Sequence, residues 1–158
     1  MSPNPNNLAS QLTAEQTAWA ELIAALANEE QALIEGDADR LHPLEVIKLD
    51  CLRAVSDLAQ ARSALLQAAG YEPHATGMDA WLSQSGNTRL RTDWLGLQQL
   101  EREARACNQR IGLLIDMRLT ATRQSLNVLM HAAGGKAGLY DPSGQAVAAR
   151  STKPLAAA

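Results

Sequence analysis

Few side chains in this chain could carry chemistry: three histidines (His42, His74, His131), two cysteines (Cys51, Cys107), and the neighbouring carboxylates Glu29–Glu30, Asp37/Asp39 and Glu101/Glu103. An acid–base couple or a metal clamp needs such groups to converge on one point. Helical residues one or two positions apart do not face each other, so these carboxylate pairs read as solvated faces. The cysteines lie far apart, both on apolar helical stripes, and read as small buried hydrophobes without a redox or metal role. His42 and His74 stand beside prolines in expected connectors, where solvent exposure is the simple expectation. Gly134-Gly135-Lys136 lacks the preceding strand and following Ser or Thr of a phosphate-cradling loop. The sequence therefore offers no catalytic, cofactor-binding or metal-ligating residue, and points away from an enzyme.

His131 carries the one chemical alternative. With Gly134, Gly135 and Lys136 it faintly resembles the exposed histidine of histidine phosphotransfer domains, which are also helical bundles. In those domains the histidine sits in mid-helix among shielding neighbours. Here two glycines follow within four residues, and a cationic or polar group near a helix C-terminus is expected from the dipole alone.

The elements that position these residues are helical throughout. Apolar residues recur at spacings of three and four through Leu97, Leu100, Ala104, Cys107, Ile111 and Leu114. The register then slips by one and continues through Ile115, Leu119, Thr122, Leu126, Leu129 and Ala133. This predicts one helix over 90–133, about 60 Å long at the usual rise, ending at Gly134 and Gly135. Such an element suits packing and surface display better than enclosure of a pocket.

Upstream, residues 1–12 read as a disordered Asn/Pro-rich arm. Thr13 and Gln16 have capping-box spacing and start a first helix whose inner face is Trp19, Leu22, Ile23, Leu26, Leu33 and Ile34. Gly36 is its expected stop and Asp37 the next N-cap. Pro43 disfavours helix at His42, which predicts a turn over 37–42 and a second helix from Leu44 to the stop at Gly70. Its stripe is Leu44, Ile47, Cys51, Val55, Leu58, Leu65 and Ala69, interrupted by Arg62, whose stem can cover apolar surface while its head reaches water. Residues 71–88 form a connector in which Thr76 caps a short helix containing Met78, Trp81 and Leu82. After Gly135 the chain is Gly/Ala/Ser-rich, with Tyr140 preceding the turn-like Asp141-Pro142-Ser143-Gly144.

The expected fold is all-α: an elongated, antiparallel, left-handed bundle or coiled coil of three long helices with a short connector helix. The expected organisation is an arm over 1–12, a bundle domain over 13–134 and a flexible tail over 135–158. Length (158 residues) and 46% hydrophobic content allow one real core, built on Ala and Leu because Phe is absent. The net charge of −3 gives no phosphate-binding patch, so nucleic acid is not an expected partner. No apolar run approaches the length of a membrane span, and the N-terminus lacks secretory signal features; cytoplasmic residence is expected.

Three segments together carry a family resemblance. Leu33-Ile34-Glu35-Gly36-Asp37, followed by Leu41, Lys48, Leu52, Arg62, Leu65-Leu66 and Gly70, resembles the first half of the FlgN family of flagellar export chaperones. Asn108-Gln109-Arg110-Ile111-Gly112-Leu113-Leu114-Ile115 resembles that family's Asn-rich motif, with Ile111 where the family usually has its second Asn. Leu139-Tyr140-Asp141-Pro142-Ser143-Gly144 resembles its Tyr-Asp-Pro-x-Gly element. The resemblance implies a cytosolic chaperone of the type III export system that binds hook-associated proteins one and three. It implies that such a chaperone prevents their premature assembly and delivers them to the export apparatus. It places cargo contacts at the end of the long helix, on Leu119, Thr122, Leu126, Leu129 and Met130, and gate docking on Tyr140. The rival use of the same stripe is a dimerisation or adaptor scaffold, in which a second copy completes a homodimer.

Overall fold

A computed structural model describes the backbone of residues 5–137 and the side chains of 7–134. Every element among the described residues is a helix: α1 (Pro5–Glu35), α2 (Ala38–Ala68), α3 (Ala75–Ser85) and α4 (Thr88–Ala137). The all-α bundle expected from composition is the fold found. Packing divides the chain into a unit of residues 1–115 and a second of 116–158.

Local chemistry explains the helix ends. At the end of α1, Gly36 adopts φ 76°, while its N–H donates to the Leu33 carbonyl and that of Asp37 to the Ala32 carbonyl. This Schellman arrangement satisfies carbonyls that the helix leaves open. Asp37 then caps α2, its carboxylate accepting from the Arg40 N–H at 3.3 Å. Gly70 (φ 83°) repeats the device, with Gly70 and Tyr71 donating to the Gln67 and Leu66 carbonyls. Asn87 caps α4 by accepting from the Leu90 N–H at 3.1 Å.

Four boundaries differ from expectation. The disordered arm over 1–12 gives way, from Pro5 onward, to the first turns of α1, where Leu8 and Leu12 are completely buried. Burial of these leucines outweighs the poor helix propensity of the surrounding Asn residues, and proline is tolerated at a first helical position. Thr13 is consequently mid-helix and donates its hydroxyl to the Ala9 carbonyl instead of capping. α2 begins at Ala38, so the expected turn over 37–42 is helical and His42 is an exposed helical residue. Pro43, near the helix start, removes one early backbone bond, and the Asp37 cap and Asp39 in the first turn favour the helix there. His74, not Thr76, occupies the N-cap position of α3; the Thr76 hydroxyl donates to the Glu72 carboxylate. α4 runs through Gly134 and Gly135 to Ala137, despite a glycine penalty of about 1 kcal/mol each.

Within residues 1–115 the core has two layers. One joins Leu8 and Leu12 of α1, Leu66 of α2, Met78, Trp81 and Leu82 of α3, and Leu90, Trp94 and Leu97 of α4. The connector helix is thus a packed part of the bundle. The other layer joins Leu22, Leu26 and Leu33 to Val55 and to Ala104, Cys107 and Ile111. Ile34 and Ile47, expected on inner faces, are half or more exposed.

Polar cross-links set the directions of the helices. Glu15 pairs with Arg62 and Glu29 with Lys48, so α1 and α2 run antiparallel. Gln16 donates to the Asp93 carbonyl and Arg110 to Glu30, so α1 and this part of α4 run parallel. Arg62 does not reach for water as expected. It donates to both Glu15 oxygens at 2.9 and 3.1 Å and lies 4.9 Å above the Trp94 ring. Trp94 in turn donates to Asp79 at 2.9 Å, which ties α1, α2, α3 and α4 together through one polar chain.

Candidate partner-binding surface

α4 carries one spacing pattern with two fates. In its first half, Leu97, Ala104, Cys107 and Ile111 are all 5% exposed or less, sealed in the bundle core. From Asp116 to Gly134 every residue is exposed. This stretch nevertheless presents Met117, Leu119, Leu126, Val128, Leu129 and Met130, each exposed by 49–69%. Successive turns of a helix align residues three and four apart, so Leu119, Thr122, Leu126, Leu129 and Ala133 lie along one stripe, with Met130 at its edge. All five residues expected to meet a partner are therefore helical and solvent-facing.

The sequence pattern did not single out Met117 and Val128. They fall about a third of a turn or more away from the stripe, with Ala121 on the same side, and make a second, thinner apolar line. Their signal was present as a spacing of eleven, three helical turns, which a search for threes and fours passes over.

A concavity of about 240 Å³ lies within the bundle unit, lined chiefly by Trp19, Leu22, Leu26, Lys48, Leu52 and Asn108. Lys48 donates to both oxygens of the buried Glu29 at 2.7 and 2.8 Å, so its charge is already matched. Neither a nucleophile nor an acid–base pair lines the space. In the Asn108–Ile115 motif, Ile111 is a core residue at 3% exposure, which accounts for an apolar side chain at that position.

Three titratable groups of the bundle are shifted by their surroundings. Arg110 donates to both Glu30 oxygens at 2.8 and 3.0 Å. That hydrogen bonding holds the Glu30 carboxyl below its ordinary range, and Glu30 in turn pushes the guanidinium up. Partial burial, then the nearby charges of Glu21 and Asp50, raise the Cys51 thiol. Cys107 is buried, and Arg110 donates to its Sγ at 3.1 Å. Among the described residues no group of three or more His, Cys, Asp or Glu could hold a metal ion. No helix among them is long and apolar enough to cross a membrane. His131 is an exposed residue of α4; because that helix continues to Ala137, His131 lies before its last turn. Tyr140 and the turn at 141–144 lie outside the described residues.

A family model described as FlgN protein matches residues 1–148. Neither a curated protein nor a solved structure matches the chain. Nearly the whole length, including the helical bundle and the exposed end of α4, falls within that match, and the chain belongs to the FlgN family of flagellar export chaperones.

Proposed function

We propose that this chain binds hook-associated proteins one and three in the cytoplasm, keeps them from assembling early, and brings them to the flagellar type III export gate. Family membership supports the class of function. The observation that carries the site is the run of six half- to two-thirds-exposed large apolar residues between Met117 and Met130. Large exposed apolar patches mark interaction surfaces, and an amphipathic partner helix docks through apolar anchors at three- and four-residue spacing. Leu119, Thr122, Leu126, Leu129 and Met130 supply the complementary stripe, and Met130 can repack around different partners. Tyr140 is the residue assigned to docking on the export apparatus.

The mechanism is coupled folding. A cargo terminus that is disordered before assembly orders as a helix against the stripe, and ordering costs of about 2–5 kcal/mol reduce net affinity and ease release at the gate. No step in this scheme requires chemistry by the chaperone.

Titration of the intact protein with C-terminal segments of hook-associated proteins one and three, followed by calorimetry and circular dichroism, tests the reading. Saturable binding with a gain in helix is expected, and deletion of residues 120–158 is expected to abolish it while preserving the bundle's melting. Full-strength binding by the truncated protein would refute the site. If the stripe instead serves a homodimer, the protein alone sediments as a dimer and cargo segments do not bind.

A further inference from the structure

The seat of α3 recurs fourteen residues along the bundle, where the described residues supply no helix to fill it. α3 shares a core layer with Leu8, Leu12, Leu66, Leu90 and Trp94. A step of fourteen residues is close to four full turns, so it returns to the same helix face about 21 Å away. On α1 and α4, which run parallel, the step leads to Leu22, Leu26, Ala104 and Asn108. On the antiparallel α2 it leads back from Leu66 to Leu52. All five residues reached in this way line the concavity of about 240 Å³. Trp19 packs against both core layers and stands at the border between the two seats. α3 has eleven residues, about 16 Å of helix, too short to hold the first seat and reach the second. The second seat is hollow for a plain reason: where the first has Leu90 and Trp94, it has the smaller Ala104 and Asn108. Leu52 on its wall is 44% exposed.

We propose that this second seat takes one amphipathic helix of another protein, patterned like α3. The chain itself supplies the template. Met78, Trp81 and Leu82, at i, i+3 and i+4, are buried in the first seat, and Asp79 at i+1 accepts from the Trp94 ring N–H at 2.9 Å. The partner helix sets bulky apolar anchors of the same spacing into the concavity, a general mode of helix recognition. A carboxylate or amide carbonyl beside its first anchor accepts from Asn108, whose exposed side chain holds the position equivalent to Trp94. A second copy of this chain is the poorer occupant. Seat and helix are different surfaces, so copies would join head to tail instead of closing as an isologous pair. A helix of about three turns also buries well under the roughly 800 Å² per partner of a standard stable interface. The seat lies wholly within residues 1–115 and stands independently of the stripe at 116–134.

The test uses the full chain and a fluorescein-labelled helical peptide carrying Met, Asp, Trp and Leu at the α3 spacing in an Ala/Glu/Lys background. Fluorescence anisotropy should show saturable binding, weakened about tenfold or more by Leu52→Glu, which sets a charge on the seat wall. Asn108→Trp, which fills the second seat as Trp94 fills the first, should weaken it likewise and replaces Leu52→Glu if that variant loses helix by circular dichroism. Leu126→Glu, at the end of α4, should leave binding unchanged. Exchanging the peptide's Asp for Ala should weaken binding several-fold to the unaltered chain and have no effect with Asn108→Ala. Absence of saturable binding, or binding that both seat variants spare, overturns the proposal. Binding lost with Leu126→Glu overturns it too, because the peptide then sits on the stripe. An Asp effect that survives Asn108→Ala overturns the pairing assigned to Asn108. Self-association of the chain alone in sedimentation, abolished by Leu52→Glu, makes a second copy the occupant and overturns the assignment to another protein. None of these failures bears on the cargo site at 116–134.

Discussion

Arg62→Met should cost far more than the loss of a surface ion pair. The Glu15 side chain is 1% exposed and that of Arg62 12%, and the guanidinium makes two hydrogen bonds to the carboxylate while covering the Trp94 ring. Removing one member of a buried pair strands the other charge, at a cost of about 3–5 kcal/mol. That is a large part of a typical domain stability of about 5–15 kcal/mol. With a urea dependence of about 2 kcal/mol per molar, the unfolding midpoint should fall by about 2 M. Glu15→Met with Arg62→Met should recover most of the loss, because similar apolar volume then replaces a desolvated pair. Urea unfolding followed by circular dichroism measures all four corners of the cycle. A single-variant cost below about 1 kcal/mol, as for exposed pairs, would refute the reasoning that this pair is an uncompensated charge once broken.

Other consequences are more local. A Cβ at Gly77 would lie 2.0 Å from the Glu72 carbonyl oxygen, so Gly77→Ala should displace α3, at about 1–3 kcal/mol as for overpacked sites, and redshift Trp81 emission. The Glu30 carboxyl is held low by Arg110, so its stabilising contribution is present above the unfolded value and lost as pH falls through the folded one. Glu30→Gln should accordingly flatten the acid limb of the stability curve below the ordinary carboxyl value of 4.5, read by urea midpoints across pH; an unchanged limb would count against the pairing. Because burial, Glu21 and Asp50 raise the Cys51 thiol, its alkylation at pH 8 should be slower than that of a free thiol, and Glu21→Gln should accelerate it. Mass spectrometry of timed quenches resolves the two cysteines.

Local punctuation was the most legible part of the sequence. Gly36, Asp37 and Gly70 announce helix ends because the chemistry that ends a helix lies within a few residues of the end. The stripe through Leu97 and Ile111 was equally readable from spacing. The start of α1 was not, because Leu8 and Leu12 are held by Leu66, Met78 and Trp94, partners that only the folded chain brings near. Arg62 misled for the same reason: its partner Glu15 stands 47 positions away. At Gly134 and Gly135 the propensity argument gave a stop where the helix persists.

The candidate site was legible in its residues and illegible in its exposure. The same threes and fours that bury Ala104, Cys107 and Ile111 also place Leu119, Leu126 and Leu129 in solvent. Spacing states that a face is apolar; what covers that face depends on whether other helices reach it.

The central claim is that the apolar end of α4 serves a partner and not the fold, and one double variant separates the two. Leu126 and Leu129 are 55% and 66% exposed, so Leu126→Ala with Leu129→Ala should change stability by no more than about 0.5 kcal/mol per site. If both leucines are buried on binding, each truncation forfeits up to about 2 kcal/mol at about 0.8 kcal/mol per buried carbon, or about thirtyfold in affinity. The measurement is the affinity of this variant for the C-terminal segment of hook-associated protein one, beside its melting temperature. The account predicts an unchanged melt with binding weakened by about a hundredfold or more, on the order of 3 kcal/mol. Retained affinity, or a melt lowered by several degrees, contradicts it.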